Sequence, residues 1–157
     1  MAIEIERKFL TKSSEWKELA KGTKYCQGYL PVSGECIVRI RIAGNKGFIT
    51  IKGRAIGASR TEYEYAIPAP EAEAMLKDFC EKPLIEKLRY KVDYAGMTWE
   101  IDEFYGDNAG LITAEIELSA ENQPIELPPW VGKEVTGDHR YSNSNLVRNP
   151  YKNWKQP

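Results

Sequence analysis

Run after run of this chain alternates apolar residues with charges of one sign, and that two-residue period limits its fold more than any other feature. Side chains two apart on an extended strand share a face, and their neighbours take the other. In Glu4-Ile5-Glu6-Arg7-Lys8, residues Glu4, Glu6 and Lys8 fall on one face, with Ile3, Ile5 and Arg7 opposite. Arg39 and Arg41 oppose Val38, Ile40 and Ile42, and Thr50 and Lys52 oppose Ile49 and Ile51. Glu62 and Glu64 oppose Tyr63 and Tyr65, and Lys87 and Arg89 oppose Leu88 and Tyr90. Glu100 and Asp102 oppose Trp99 and Ile101, and Glu115 and Glu117 oppose Ala114, Ile116 and Leu118.

A single strand of this kind is most simply the solvated face of an antiparallel sheet. The same device in almost every strand calls for more, because like charges two apart repel unless a ligand or a facing strand neutralises them. A buried network of ion pairs alone would cost desolvation free energy at every ion. The pattern is satisfied if the charged faces converge on one polar lumen and the apolar faces point outward. Cover for those outer faces, and for residues 127–131, then comes from the chain's own helices or from a second copy, so a homodimer is an open expectation.

The punctuation agrees with an antiparallel α+β chain. Strands are expected over residues 3–10, 25–30, 36–42, 47–52, 60–67, 84–94, 98–105 and 112–119, with Gly44-Asn45 and Gly96 in turns. A weak helix is expected around 14–20, with Ser14 as cap and Trp16, Leu19 and Ala20 packing. A firmer one is expected over 70–79, with Pro70 in the first turn and Met75, Leu76 and Phe79 as its apolar stripe. The Pro-rich segment after residue 120 reads as loop, followed by a short helix near Asn145. That makes about eight strands and two or three helices, a set able to close into a barrel.

Composition removes other classes. The 157 residues suit one domain spanning 1–157. Twenty-two basic against twenty-three acidic residues leave a net charge of -1, without the basic excess of a general nucleic-acid binder. Cys26, Cys36 and Cys80 have no paired spacing, and the single His139 makes zinc improbable. Charge follows Met1 almost at once and no apolar run reaches membrane-span length, so a cytoplasmic location is expected.

The lumen inventory has its own chemistry. Lys8, Arg39, Arg41, Lys52, Lys87 and Arg89 offer the forks and point charges that phosphate oxygens accept. Glu4, Glu6, Glu62, Glu64, Glu100, Asp102, Glu115 and Glu117 are hard oxygen ligands, which favour Mg²⁺ or Mn²⁺. A polyphosphate with a bridging metal uses both sets.

In this order, Glu4-x-Glu6-x-Lys8, Arg39-x-Arg41, Lys52, Glu62-x-Glu64, Lys87-x-Arg89, Asp102 and Glu115-x-Glu117 resemble the CYTH superfamily, the triphosphate tunnel metalloenzymes. The tail Asp138-x-Arg140-Tyr141 with Asn143 and Asn145 is also similar, so the likeness covers nearly the whole chain. It implies a closed eight-stranded antiparallel tunnel that hydrolyses or cyclises triphosphates with a divalent metal. By the same resemblance, Lys8, Arg39, Arg41, Lys52, Lys87, Arg89 and Arg140 hold phosphates. Glu4, Glu6, Glu115 and Glu117 hold metal, with Glu62, Glu64 and Asp102 as further ligands or their supports. Glu100 is outside the family pattern. The leading expectation is an inorganic triphosphatase acting on a small triphosphate, with a carboxylate or a lysine as base; Lys87 is the lysine candidate, its pKa lowered by neighbouring cations, with Tyr29 either hydrogen-bonded to it or a packing residue. An adenylyl cyclase, a thiamine or nucleoside triphosphatase, an RNA 5′-triphosphatase and a non-enzymatic polyphosphate binder are the alternatives.

Overall fold

In the computed structural model, which describes residues 3–154, the strands are β1 (Ile3–Thr11), β2 (Thr23–Tyr29), β3 (Ile37–Ala43), β4 (Lys46–Lys52), β5 (Ser59–Ile67), β6 (Ile85–Tyr94), β7 (Met97–Phe104), β8 (Ile112–Glu117) and β9 (Val131–Glu134). Helix α1 (Ala69–Asp78) follows β5, and α2 (Asn143–Arg148) follows β9. All pairings are antiparallel, in the order β5-β4-β3-β2-β6-β7-β8-β1, and β1 returns to β5 to close an eight-stranded barrel.

Closure depends on β1 dividing one of its edges. Its first residues pair with β5 through Ile3↔Thr61, Glu4↔Arg60 and Ile5↔Ser59. Further along, Phe9 and Thr11 pair with β9 on that same edge, while Glu6 to Leu10 pair with β8 on the other. β9 is the element that the sequence concealed, since it was expected as loop. Pro128-Pro129 hides its start, and four residues are too few for alternation to register. Trp130 and Val131 are buried in the chain's own core, edge-on to Trp99 in the case of Trp130, while Leu127 of the same segment stays exposed.

The outward apolar faces are covered much as expected. Ile101, Ala114, Ile116, Phe9 and Trp99 form a core outside the β1-β8-β7-β6 wall. Ala72 and Leu76 of α1 seal the outer side of β3 and β4 over Ile40. Gly47 permits that approach: a Cβ there would lie 2.9 Å from both the Ala72 Cβ and the Ile67 carbonyl oxygen. Beyond α1, Tyr63 and Tyr65 remain exposed. Leu146 and Val147 of α2 pack on Tyr29, Ile85 and Phe104, so this helix sits against one end of the barrel.

The expected helix at 14–20 is a single 3-10 turn, Glu15–Glu18, and Ser14 makes no capping bond. Trp16 is fully buried and its Nε1 donates to the Ser13 carbonyl, but Leu19 is 61% exposed and does not pack as expected. One anchoring indole is enough to fix so short a segment, and no apolar stripe forms.

Candidate active site

The barrel encloses a cavity of about 280 Å³, lined by Glu4, Glu6, Lys8, Arg39, Arg41, Lys52, Glu62, Glu64, Lys87, Arg89, Glu115 and Glu117. Alternation thus sorted these side chains to the correct face. Arg7 points outward and pairs with Glu134 at 2.8 Å.

At the deepest level, Asp102 is completely buried and holds two cations. Arg89 Nε donates to Oδ1 at 2.8 Å and Arg89 Nη2 to Oδ2 at 2.9 Å, while Lys87 Nζ donates to Oδ2 at 2.8 Å. Burial alone would raise the Asp102 carboxyl; Arg89 and Lys87 outweigh it and bring it down to about 2. Both oxygens are therefore spent on cations. Of the two roles expected for Asp102, ligand or support, these contacts are those of a support: alternation gives the face of a residue but not its depth, and Asp102 anchors Arg89 and Lys87.

Those cations are set for an anion. Arg41 and Arg89 lie against the ring of Tyr25, at 5.0 and 4.8 Å from its centroid. Arg41 Nε donates to the neutral amide of Gln27, and burial followed by Arg39 and Arg89 lowers the Arg41 guanidinium to about 10. Arg39 Nη2 reaches Thr50 Oγ1 and Glu64 Oε1 at 3.2 and 3.3 Å, and its buried Nε has no partner among the described residues. Unmet donors and a guanidinium without a carboxylate are what a bound polyanion satisfies. Burial drives the Lys87 ammonium well below its usual range, with Arg89 and Arg41 adding to the effect and Asp102 opposing it. Lys8 is held above its usual value: burial works against the charge, and Glu115, Glu6 and Asp102 overcome it.

The expected Lys87–Tyr29 hydrogen bond is absent. Lys87 Nζ donates instead to Asp102 and, at 2.9 Å, to Asn143 Oδ1 of α2, while Tyr29 Oη accepts from Gln27 Nε2 at 2.9 Å. Gln27 and Asn143 were not among the expected site residues. Charge pattern cannot signal neutral side chains, although Tyr25-x-Gln27-x-Tyr29 carries the lumen parity. Glu100, outside the family pattern, lines the cavity 3.3 Å from Arg89.

The carboxylates sit nearer the β1–β8 seam, where Glu6 pairs across from Glu117 and Lys8 from Glu115. Burial and then Glu115 push the Glu6 carboxyl well above the usual range; Glu115, despite its own burial, is held well below it by Lys8, Glu6 and Arg89. Glu4 is raised by burial and by its neighbour Glu62, and Lys52 Nζ stands 3.2 Å from each of them. Burial and then Glu4 raise Glu117. No three carboxylates converge into a ready-made coordination site among the described residues. The donor set still fits a divalent hard cation, because Glu4, Glu6, Glu115 and Glu117 line one cavity with only Lys8 and Lys52 among them, and burial beside one another raises Glu4, Glu6 and Glu117.

Arg140 is not brought to the cavity. It donates to Asp138 at 2.8 Å and lies over the rings of Tyr141 and Trp154, with a side chain 59% exposed. The backbone nearby does take part, since the Tyr141 carbonyl accepts from Lys8 Nζ at 3.1 Å.

A closed antiparallel barrel whose lumen carries both phosphate-type cations and hard carboxylates defines a polyanion-binding, metal-competent tunnel. Comparison with known proteins agrees with that class. The CYTH domain matches residues 2–151, and the chain belongs to this family. It is 54% identical over 156 residues to an inorganic triphosphatase of Acetivibrio thermocellus, covering 99% of this chain and all of that one. It is 39% identical over 148 residues to an inorganic triphosphatase of Nitrosomonas europaea, covering 92% and 96% of the two chains. A crystal structure of an inorganic triphosphatase superposes with a TM-score of 0.67 at 34% identity, over 94% of this chain and 95% of that one.

Proposed function

We propose that this protein hydrolyses inorganic tripolyphosphate with Mg²⁺ or Mn²⁺ inside the tunnel. The observation that carries the reading is that Arg41, Lys87 and Arg89, the last two anchored by Asp102, line the same cavity as Glu4, Glu6, Glu115 and Glu117. Two full-length relatives named inorganic triphosphatases support it.

Arg39, Arg41, Arg89, Lys8 and Lys52 hold the phosphate oxygens and offset charge as the terminal phosphoryl departs. Glu4, Glu6, Glu115 and Glu117 hold the cation, with Glu62 as support through Glu4; Glu64 serves through Arg39 and Thr50. When bound, the cation supplies Lewis-acid polarisation of phosphate oxygens and orients the attacking water. Lys87 is the base. Its burial favours the neutral amine, whose two N–H bonds go to Asp102 and Asn143, leaving the lone pair for a water proton. The water oxygen bonds to the terminal phosphorus, the phosphoanhydride P–O bond breaks, and its electron pair leaves with pyrophosphate; orthophosphate is the other product. No described helix is long and apolar enough to cross a membrane, and the free thiols Cys26, Cys36 and Cys80 accord with the reducing cytoplasm that this reading assumes.

The test is turnover of tripolyphosphate, pyrophosphate, ATP and thiamine triphosphate, each with Mg²⁺, Mn²⁺ or EDTA. Metal-dependent release of orthophosphate from tripolyphosphate is expected. Cyclic AMP as main product from ATP would favour the cyclase, and binding without any product would leave a polyphosphate binder.

A further inference from the structure

Gln27 is completely buried, does not line the cavity, and has both ends of its amide committed. It pairs across from Arg41 on β3, whose Nε donates to Gln27 Oε1 at 2.8 Å. A guanidinium can only donate, so the oxygen of the amide must face Arg41. The nitrogen then faces the other way, donating to Tyr29 Oη at 2.9 Å and to Asn143 Oδ1 at 3.2 Å. That same Asn143 oxygen accepts from Lys87 Nζ at 2.9 Å. A reversed amide would set N–H against N–H at Arg41 and leave both groups unsatisfied in a buried site, which is costly.

We propose that Gln27 is a positioning residue for hydrolysis, whose one amide fixes the Arg41 guanidinium, the free hydroxyl proton of Tyr29 and the Asn143 acceptor that orients Lys87. The consequence for Tyr29 is directional. Its oxygen accepts from Gln27, so its own proton is turned away from Gln27 and is free to donate toward the lumen. The consequence for Lys87 is that two of its hydrogens are held by Asp102 and Asn143. The inference rests on the triphosphatase reading, because it assigns the ordered groups to that reaction.

Two substitutions at Gln27 separate its two ends. Gln27→Glu keeps an acceptor for Arg41 and removes the donor to Tyr29 and Asn143. Gln27→Met has similar reach and loses both. Steady-state kinetics with tripolyphosphate and Mg²⁺, together with thermal melting, are measured for each and for Asn143→Ala. For Gln27→Glu, kcat is expected to fall about tenfold or more with KM within about twofold, as misorientation of reacting groups does. Gln27→Met is expected to raise KM as well, and Asn143→Ala to lower kcat alone. Wild-type kcat in Gln27→Glu, or a lowered melting temperature in Gln27→Met with both kinetic constants unchanged, would overturn the assignment. Should Gln27→Met fail to fold, Gln27→Glu and Asn143→Ala decide the question. An inactive wild-type protein would instead remove the triphosphatase reading, and this inference with it.

Discussion

Asp102 Oδ2 and Lys87 Nζ meet 2.8 Å apart with neither side chain open to solvent, and Arg89 occupies the rest of the carboxylate. Asp102→Asn removes the carboxylate that Arg89 and Lys87 share and leaves Arg89 only its longer contacts with Glu100 and Glu115. Loss of one partner of a buried ion pair costs about 3–5 kcal/mol, so a marked fall in thermal midpoint is expected alongside loss of turnover. The pH dependence also has a sign. The folded carboxyl titrates near 2, below its unfolded value of 3.8, so its stabilisation is complete above the unfolded value and is lost as pH falls through about 2. Acid melting curves of Asp102→Asn should lack that component, of about 2 kcal/mol by linkage.

Glu6 behaves in the opposite sense. Its folded pKa lies well above 4.5, so its contribution is complete below 4.5 and is lost as pH rises through the folded value. Once Glu6 is ionised, its pair with Glu115 is a burden that a divalent cation relieves. Mn²⁺ affinity, measured by calorimetry, should therefore rise with pH through the Glu6 titration, and Mn²⁺ should raise the melting temperature more above that titration than below it. An Mn²⁺ affinity that does not change with pH anywhere above 4.5 would remove these carboxylates from the metal site.

Lys87→Arg keeps the positive charge and loses the capacity to act as a base at accessible pH. Turnover of tripolyphosphate should fall by about two to four orders of magnitude. In the wild-type protein, kcat should rise with pH through a lysine titration well below 10.5, since the neutral amine is the competent form. A Lys87→Arg variant that kept full turnover at every pH would assign the base elsewhere.

Arg140 tests resemblance against geometry. With its guanidinium on Asp138 and over Trp154, Arg140→Ala should leave KM for tripolyphosphate within about twofold, as expected of an exposed residue remote from bound phosphate. A tenfold rise in KM would show that the side chain leaves Asp138 when substrate binds.

The lumen was legible because the period of a strand is two: Arg39 with Arg41, or Glu115 with Glu117, can take no other relative placement once the strand is granted. Depth along the tunnel was not legible. Asp102 and Glu115 carry the same charge on the same face, yet one is consumed by Arg89 and Lys87 while the other stands across from Lys8 beside Glu6. That difference arises from register between strands, across the β6–β7 hairpin for Asp102 and between β1 and β8 for Glu115, which periodicity within a strand does not record. Gln27 was missed, and Asn143, named in the tail motif, was given no role, since both act where Arg41, Tyr29 and Lys87 converge from different elements. β9 escaped because its four residues are a strand only by virtue of the edge that Phe9 and Thr11 offer.

That edge has a consequence for how the chain comes to be folded. β1 precedes all its partners, Ser59 to Thr61, Thr113 to Glu117, Val131 and Glu134, by a long stretch of chain, so its pairing is among the least local in the molecule. Until they appear, both sides of β1 are open to pairing with other chains. Glu4, Glu6, Arg7 and Lys8 make that a poor template, because charged side chains along an open edge resist aggregation. The residues proposed to grip metal and phosphate thus first guard the nascent chain.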